Sequence, residues 1–167
     1  MKHDLISISG APASWKLRAS VEKLVQALRR GRFIPSKHAV VLSVSCVGAS
    51  EMTRLNRKYR GKARPTDVLS LEQPQIPVSN VIFLGDVVLC LDIVRAQAKE
   101  QCHGVGIEAA VLTAHGLLHL LGYDHEKSPR EATRQVKAED KLLKLAGIGR
   151  SSGLIARHAL DKKQHRS

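Results

Sequence analysis

The 167-residue sequence predicts an α+β fold: a single domain with a mixed β-sheet of about four strands and helices packed on it. Three observations carry that reading. Short β-branched runs are interspersed with amphipathic helical stretches. A hydrophobic content of 43% is enough to build one core in a chain of this length. No internal repeat or change in composition divides the chain until near its end, where Arg150 to Ser167 holds five Lys/Arg against one acidic residue. We read residues 1–148 as the domain and residues 149–167 as a basic, flexible tail.

Leu5–Ile8 alternates like a short strand. Ala13–Arg30 is amphipathic, with Leu17, Val21, Leu24, Val25 and Leu28 on one face and basic residues on the other, and Gly31 closes it. Ala39–Val47 is rich in valine and reads as a strand. Ser50 is the expected cap of a helix carrying Met52, Leu55 and Tyr59, stopped by Gly61. A basic loop, Gly61 to Pro65, leads into Thr66–Leu71 as a strand, and Gln73–Asn80, with its two prolines, is a loop. Val81–Leu91 is strand-like around Gly85-Asp86. Asp92 is the expected cap of a helix reaching about Cys102, and Ile107–Leu121 is the next helix. Ser128-Pro129-Arg130-Glu131 is a capping box with proline at the first helical position, starting a helix that runs to about Ala146 and stops at Gly147.

Composition narrows the function classes. Lys+Arg outnumber Asp+Glu by 27 to 15, a formal net charge of +12, which favours a polyanionic partner and nucleic acid before an anionic membrane. Aromatics are only 3%, too few for an extended base-stacking platform, so a nucleic-acid grip rests on phosphate contacts. Cys46, Cys90 and Cys102 are isolated; they form neither a disulfide framework nor a thiolate metal site and are expected to be buried thiols. No apolar run approaches transmembrane length, and the start lacks the apolar core of a signal peptide, so the expected compartment is the cytoplasm.

The chemistry concentrates between His115 and His125. On a helix, His115 and His119 lie one above the other and both imidazoles can reach one ion. Gly122 can end the helix in a left-handed turn that brings in His125 as a third ligand. Three neutral imidazoles with an open coordination position are the donor set of a catalytic zinc, one per chain, although another divalent ion fits three histidines too. Buried histidines without a metal would each need a hydrogen-bond partner in a segment otherwise made of leucines. The spacing is that of the metzincin proteases, but their general-base glutamate is replaced by Gly116, and no methionine is available to pack beneath the metal. The site is thus a related metal cradle with different chemistry.

Together with Leu55-Asn56-Arg57-Lys58-Tyr59-Arg60-Gly61 and Pro65-Thr66-Asp67-Val68-Leu69-Ser70, the histidine motif resembles the YbeY endoribonuclease family of ribosomal RNA maturation factors. Gly85-Asp86-Val87-Val88, Glu131-Ala132 and Glu139 fit the same pattern, which spans roughly residues 39–147. The resemblance implies a single-domain α+β metalloprotein that binds zinc through the three histidines. It implies cleavage of single-stranded RNA, maturation of the small-subunit ribosomal RNA 3′ end, and ribosome quality control alongside the small subunit and its assembly factors. The family's arginine falls on Arg60. Two departures, Leu71-Glu72 in place of Phe-Pro and Gln135 in place of Met, are expected to touch no ligand.

A zinc at this site lowers the pKa of its bound water towards about 7 and polarises a phosphoryl oxygen. Phosphodiester cleavage builds negative charge on the non-bridging oxygens, and Arg60 is the catalytic candidate that meets it. Asp124, Thr66 and Asp67 are expected to support the ligands or the loop facing them, with Asp86 in a similar role. Arg57, Lys58, Lys62 and Arg64 are expected to track RNA phosphates. The competing reading is a ribosome-assembly factor whose metal mainly orders the fold; a zinc peptidase is disfavoured by Gly116 and the basic charge.

Overall fold

The computed structural model describes residues 3–74 and 76–149. Its strands are β1 (Leu5–Ser9), β2 (Ala39–Val47), β3 (Val68–Leu71) and β4 (Val81–Cys90), and its helices α1 (Leu17–Arg30), α2 (Ala49–Arg60), α3 (Leu91–Glu100), α4 (Val105–Leu120) and α5 (Pro129–Ala146). All but the first residue of the expected tail, 149–167, lies outside the described residues. None of the described helices is long and apolar enough to cross a membrane.

The strands form one sheet in the order β1-β2-β4-β3. β1, β2 and β4 run parallel, and β3 returns antiparallel along β4 with Leu69 opposite Val88. The sheet is therefore mixed and four-stranded, as expected. Its register slips once, where Val41 faces Phe83 but Leu42 faces Gly85. Gly85 sits there at φ +124°, and a Cβ on it would lie 2.4 Å from the Leu71 carbonyl oxygen, so this bulge accepts only glycine.

One face of the sheet carries the main core. Val40, Leu42 and Val44 of β2 pack with Val21, Leu24 and Leu28 of α1 and with the middle of α4. On the other face, Met52 of α2 covers Leu69, Val88 and Cys90 in a smaller cluster. Every residue from Glu108 to Leu118 is buried, so α4 runs through the core and is not a surface helix. That placement explains its many leucines and makes any polar group on it dependent on a partner.

Several local expectations are corrected. The Ala13–Arg30 helix is broken, with a 3-10 turn at Ala13–Trp15 and Lys16 at φ 49° before α1 begins. The break lets the Trp15 backbone lie against Gly106 of α4, where a Cβ would come within 2.4 Å of the Trp15 oxygen. Ser50 does not cap α2; the helix starts two residues earlier than that cap implies, at Ala49, with Gly48 as N-cap. Its first amide, Ala49 N–H, donates instead to the Asp92 carboxylate at 3.1 Å. Asp92 thus serves a neighbouring helix, because α3 follows β4 without a loop and has Cys90 at its own N-cap. Thr66 and Asp67 precede β3 instead of belonging to it, and α4 starts at Val105, two residues early. Cys46 and Cys90 are buried but Cys102 is exposed. Burial pushes the Cys46 thiol up to about 11. Ser128 caps α5 as expected, its hydroxyl accepting Glu131 N–H at 3.2 Å, but the Glu131 carboxylate pairs with Arg134 at 3.1 Å, so only the serine half of the capping box is seen.

Candidate metal centre

The site is built at the C-terminal end of α4. His115 and His119 lie one turn apart, with Nε2 atoms 2.9 Å from each other and ring centroids separated by 4.5 Å. The helix then closes in a Schellman turn: Gly122 N–H donates to His119 O at 2.9 Å and Tyr123 N–H to Leu118 O at 3.0 Å. Gly122 takes φ +85° there, so the backbone conformation is what requires glycine. The turn carries the chain back over the helix end, and the Asp124 carboxylate accepts Glu126 N–H at 3.0 Å to hold it. His125 is thereby brought to 5.3 Å from the His115 ring and 5.2 Å from the His119 ring, centroid to centroid.

The donor atoms of the three imidazoles lie within 4.8 Å of one another. A tetrahedral ion with nitrogens at about 2.0–2.1 Å spaces them roughly 3.3 Å apart, so the cluster fits one ion with small ring movements. Two further observations agree with a metal. His125 Nδ1 is buried without a hydrogen-bond partner. Burial, reinforced by His115 and His125, pushes the pKa of His119 down to about 4, which keeps it the neutral donor a cation requires. A pH effect follows for the metal-stripped protein. Between about 6.5 and about 4 the unfolded chain binds a proton at His119 that the folded chain does not. Stability is therefore expected to fall as pH drops through that window, and to rise with pH across it. Denaturant midpoints measured from pH 7 to pH 4, for wild type and His119→Gln, check this; equal slopes for both would refute it.

Glu139 of α5 completes the ligand set from outside. Its carboxylate hydrogen-bonds His115 Nδ1, both side chains being buried, so Nε2 is left to face His119 and the site. The amide of Gln135, one turn earlier, lies 3.5 Å from the same Nδ1. The expectation that the Gln135 departure touches no ligand is therefore corrected, and Glu139, read in the sequence only as part of the last helix, has a definite task. A signal was present: Gln135 and Glu139 are polar residues four apart on the stripe that holds Ala138, Leu142 and Ala146, and buried polar groups need partners. Glu139→Gln is expected to weaken metal binding by about 10- to 100-fold while the fold persists. Chelator-competition titration checks it, and wild-type affinity in the variant would show the contact to be incidental.

In front of the histidines lies a cleft of about 570 Å³ walled by Arg60, Lys62, Thr66, Asp67, Ser70 and Asp124. Arg60 is the exposed last residue of α2, followed by Gly61 at φ +69°, which turns the chain back along the cleft. Asp67 is fixed in the cleft wall: one carboxylate oxygen accepts Val68 N–H at 2.8 Å and the Thr66 hydroxyl at 3.2 Å, and the other accepts the Gln97 amide at 3.1 Å. Ser70, not singled out from sequence, donates its hydroxyl to Gly116 O at 3.1 Å and so joins β3 to the metal helix.

The remaining basic residues are placed differently. Arg57, Lys58 and Arg64 are exposed beside the cleft without lining it. Lys58 lies over the Tyr59 ring at 4.9 Å, and the Arg64 carbonyl accepts the Asn56 amide at 2.7 Å. Asp86 is not near the metal loop. It pairs with Gln73 in a separate apolar cleft of about 670 Å³ on the uncovered part of the sheet, so the supporting role expected of it is corrected.

A mixed sheet with a three-imidazole cleft at the end of a buried helix is the arrangement of a protein able to hold a catalytic metal ion. Comparison with known proteins makes this specific. The model of one family, Endoribonuclease YbeY, matches residues 11–147. The chain belongs to that family, whose members act on RNA. An endoribonuclease YbeY from Anaeromyxobacter sp. is 38% identical over 139 residues, covering 83% of this chain and 68% of the relative. Another, from Chloroflexus aggregans, is 35% identical over 142 residues, covering 79% of this chain and 89% of the relative. Among solved structures, that of TM1509 from Thermotoga maritima has a TM-score of 0.51 at 30% identity, covering 83% of this chain and 89% of that one.

Proposed function

We propose that the chain is a zinc-dependent, single-strand-specific endoribonuclease of ribosomal RNA maturation, acting in the cytoplasm on the 3′ end of the small-subunit RNA and in ribosome quality control, with residues 1–148 as its catalytic unit. One observation supports this above the others: a single cleft joins the three-histidine cluster to Arg60 and Lys62. His115, His119 and His125 would hold a divalent ion, which would supply Lewis-acid stabilisation of a phosphoryl group. The chain's own groups do the rest. Arg60 donates to the non-bridging oxygens as their charge grows, and Lys62 meets a neighbouring phosphate as a point charge. Asp67 and Thr66 hold the wall that faces the ligands, and Asp124 keeps the His125 turn in place. Arg57, Lys58 and Arg64 add positive potential outside the cleft and steer the RNA towards it.

The reaction breaks one P–O bond to a ribose oxygen, which leaves with a proton. The nucleophile is either water or the substrate's own 2′-OH, and the second route leaves a 2′,3′-cyclic phosphate. End analysis of the products separates them. The burial of His115 and its bond to α5 favour a second role for the metal, as an organiser of the fold in a ribosome-assembly factor. One experiment distinguishes the readings: single-stranded and duplex RNA are incubated with purified protein before and after chelation, and thermal unfolding is followed in parallel. The nuclease reading expects cutting of the single strand alone, its loss on chelation and in His119→Ala, and its return with zinc. An unfolded apoprotein together with no metal-dependent cutting would support the assembly role.

A further inference from the structure

The loop that carries Lys62 into the metal cleft is tied down by one buried side chain. At the end of α2 the backbone makes a Schellman turn: Gly61 N–H donates to Arg57 O at 3.0 Å and Lys62 N–H to Asn56 O at 3.3 Å. Any residue at position 56 supplies that carbonyl. The Asn56 side chain adds a separate tie, its Nδ2 donating to Arg64 O at 2.7 Å. Among the described residues this is the only hydrogen bond made by residues 63–65. The chain is next held at Thr66 and Asp67, in the cleft wall.

Packing does not account for an amide at this position. Asn56 is 2% exposed and shares the inward stripe of α2 with Met52, one turn earlier. Its Oδ1 is buried with no hydrogen-bond partner, a cost that an apolar side chain there would avoid. What the amide provides is the bond to Arg64 O. The consequence falls on Lys62, which is exposed on the tied loop. Asp67, Asp124 and Glu126 line the cleft together with Arg60 and Lys62, so a phosphate is accepted only where a cation stands. A loop fixed at Arg64 presents Lys62 in one place before RNA arrives, whereas an untied loop has to be ordered by binding. We propose that Asn56 is a positioning residue for RNA: its side chain latches residues 61–65 and so fixes Lys62 against a substrate phosphate beside the metal ligands. This rests on the nuclease reading above and deepens it, because Asn56 acts through Lys62 and not by touching RNA.

The test is a double-mutant cycle on the affinity of the zinc-loaded full chain for a labelled single-stranded RNA. Fluorescence anisotropy at one fixed salt concentration compares wild type, Asn56→Ala, Lys62→Ala and the pair. Asn56→Ala is expected to weaken binding by about three- to ten-fold when Lys62 is present, and by less than about two-fold when it is alanine. An equal loss in both backgrounds, the result of a merely structural role, overturns the proposal. Asn56→Asp, equal in size but without the donor, repeats the cycle should the alanine variant unfold. Limited trypsin digestion read by mass spectrometry follows the loop itself. Cutting after Lys62 is expected to be slow in wild type and several-fold faster in Asn56→Ala, with cutting in α5 unchanged. Folded wild type that is cut readily after Lys62 overturns the proposal whatever the variants do. RNA bound as tightly by Asn56→Ala as by wild type defeats this proposal alone. RNA that wild type neither binds nor cuts defeats the nuclease reading and the proposal with it.

Discussion

Arg60→Ala is expected to lower the rate of single-stranded RNA cleavage by roughly 10²–10³-fold while metal content and folding stay at the wild-type level. The prediction follows from where Arg60 sits. It ends α2, is exposed, lines the metal cleft, and its side chain forms no hydrogen bond or ion pair with any described residue. Its guanidinium is thus free to meet the charge that develops on a phosphoryl group. A purely structural account assigns it the favourable position of a cation at a helix C-terminus, worth about 0.3–1 kcal/mol. That effect would shift stability slightly and leave the rate alone. Single-turnover cleavage, zinc stoichiometry and a denaturation curve on the same preparation separate the two accounts. Arg60→Lys restores the charge without the planar fork and is expected to recover only part of the rate. Full activity in Arg60→Ala would remove the arginine from the mechanism.

Gly116→Glu is expected to destabilise the protein by about 3 kcal/mol or more and to yield no peptidase activity. The substitution puts back the residue that the metzincin spacing would have at this position. The structure shows why it does not belong here. A Cβ on Gly116 would lie 3.0 Å from both Ser70 Oγ and Val87 Cγ1 and 3.3 Å from Val68 Cγ2, so α4 lies directly against β3 and β4 at this residue. A glutamate would have to push the helix off the sheet or bury its carboxylate among valines, and either displaces the metal ligands on the neighbouring turn. Gly116→Ala is the control. Its helix propensity gains up to about 1 kcal/mol and its contacts are only slightly tight, so its stability is expected to stay near wild type. Urea unfolding of the three proteins with comparable m-values decides the matter. A Gly116→Glu protein as stable as wild type would show that the helix has room to move.

Much of the site was legible because its parts are local. A helix repeats every 3.6 residues, so the spacing of His115 and His119 alone puts them on one face, and Gly122 marks the left-handed turn that returns His125. Gly61, Ser128 and Gly147 marked helix ends for the same reason. Where local signals misled, a distant group had taken over the local task. Ser50 had the chemistry of a cap, yet Asp92 from α3 reaches the α2 amide first. Asp86 had the chemistry of a supporting carboxylate, yet β4 carries it to a different cleft.

The sequence by itself determined the element types, most of their boundaries, the three-histidine cluster and the absence of a protease base, since each depends on residues within a turn or two of one another. Tertiary structure decided the rest. It chose the strand order and the reversed direction of β3, brought Glu139 behind His115 from 24 positions away, and set Arg60 in the same cleft as the histidines. The physical reason is that periodicity and capping are written in the order of residues along the chain. Strand register and contacts between helices arise from burying apolar surface among segments whose separation in sequence says nothing of their separation in space.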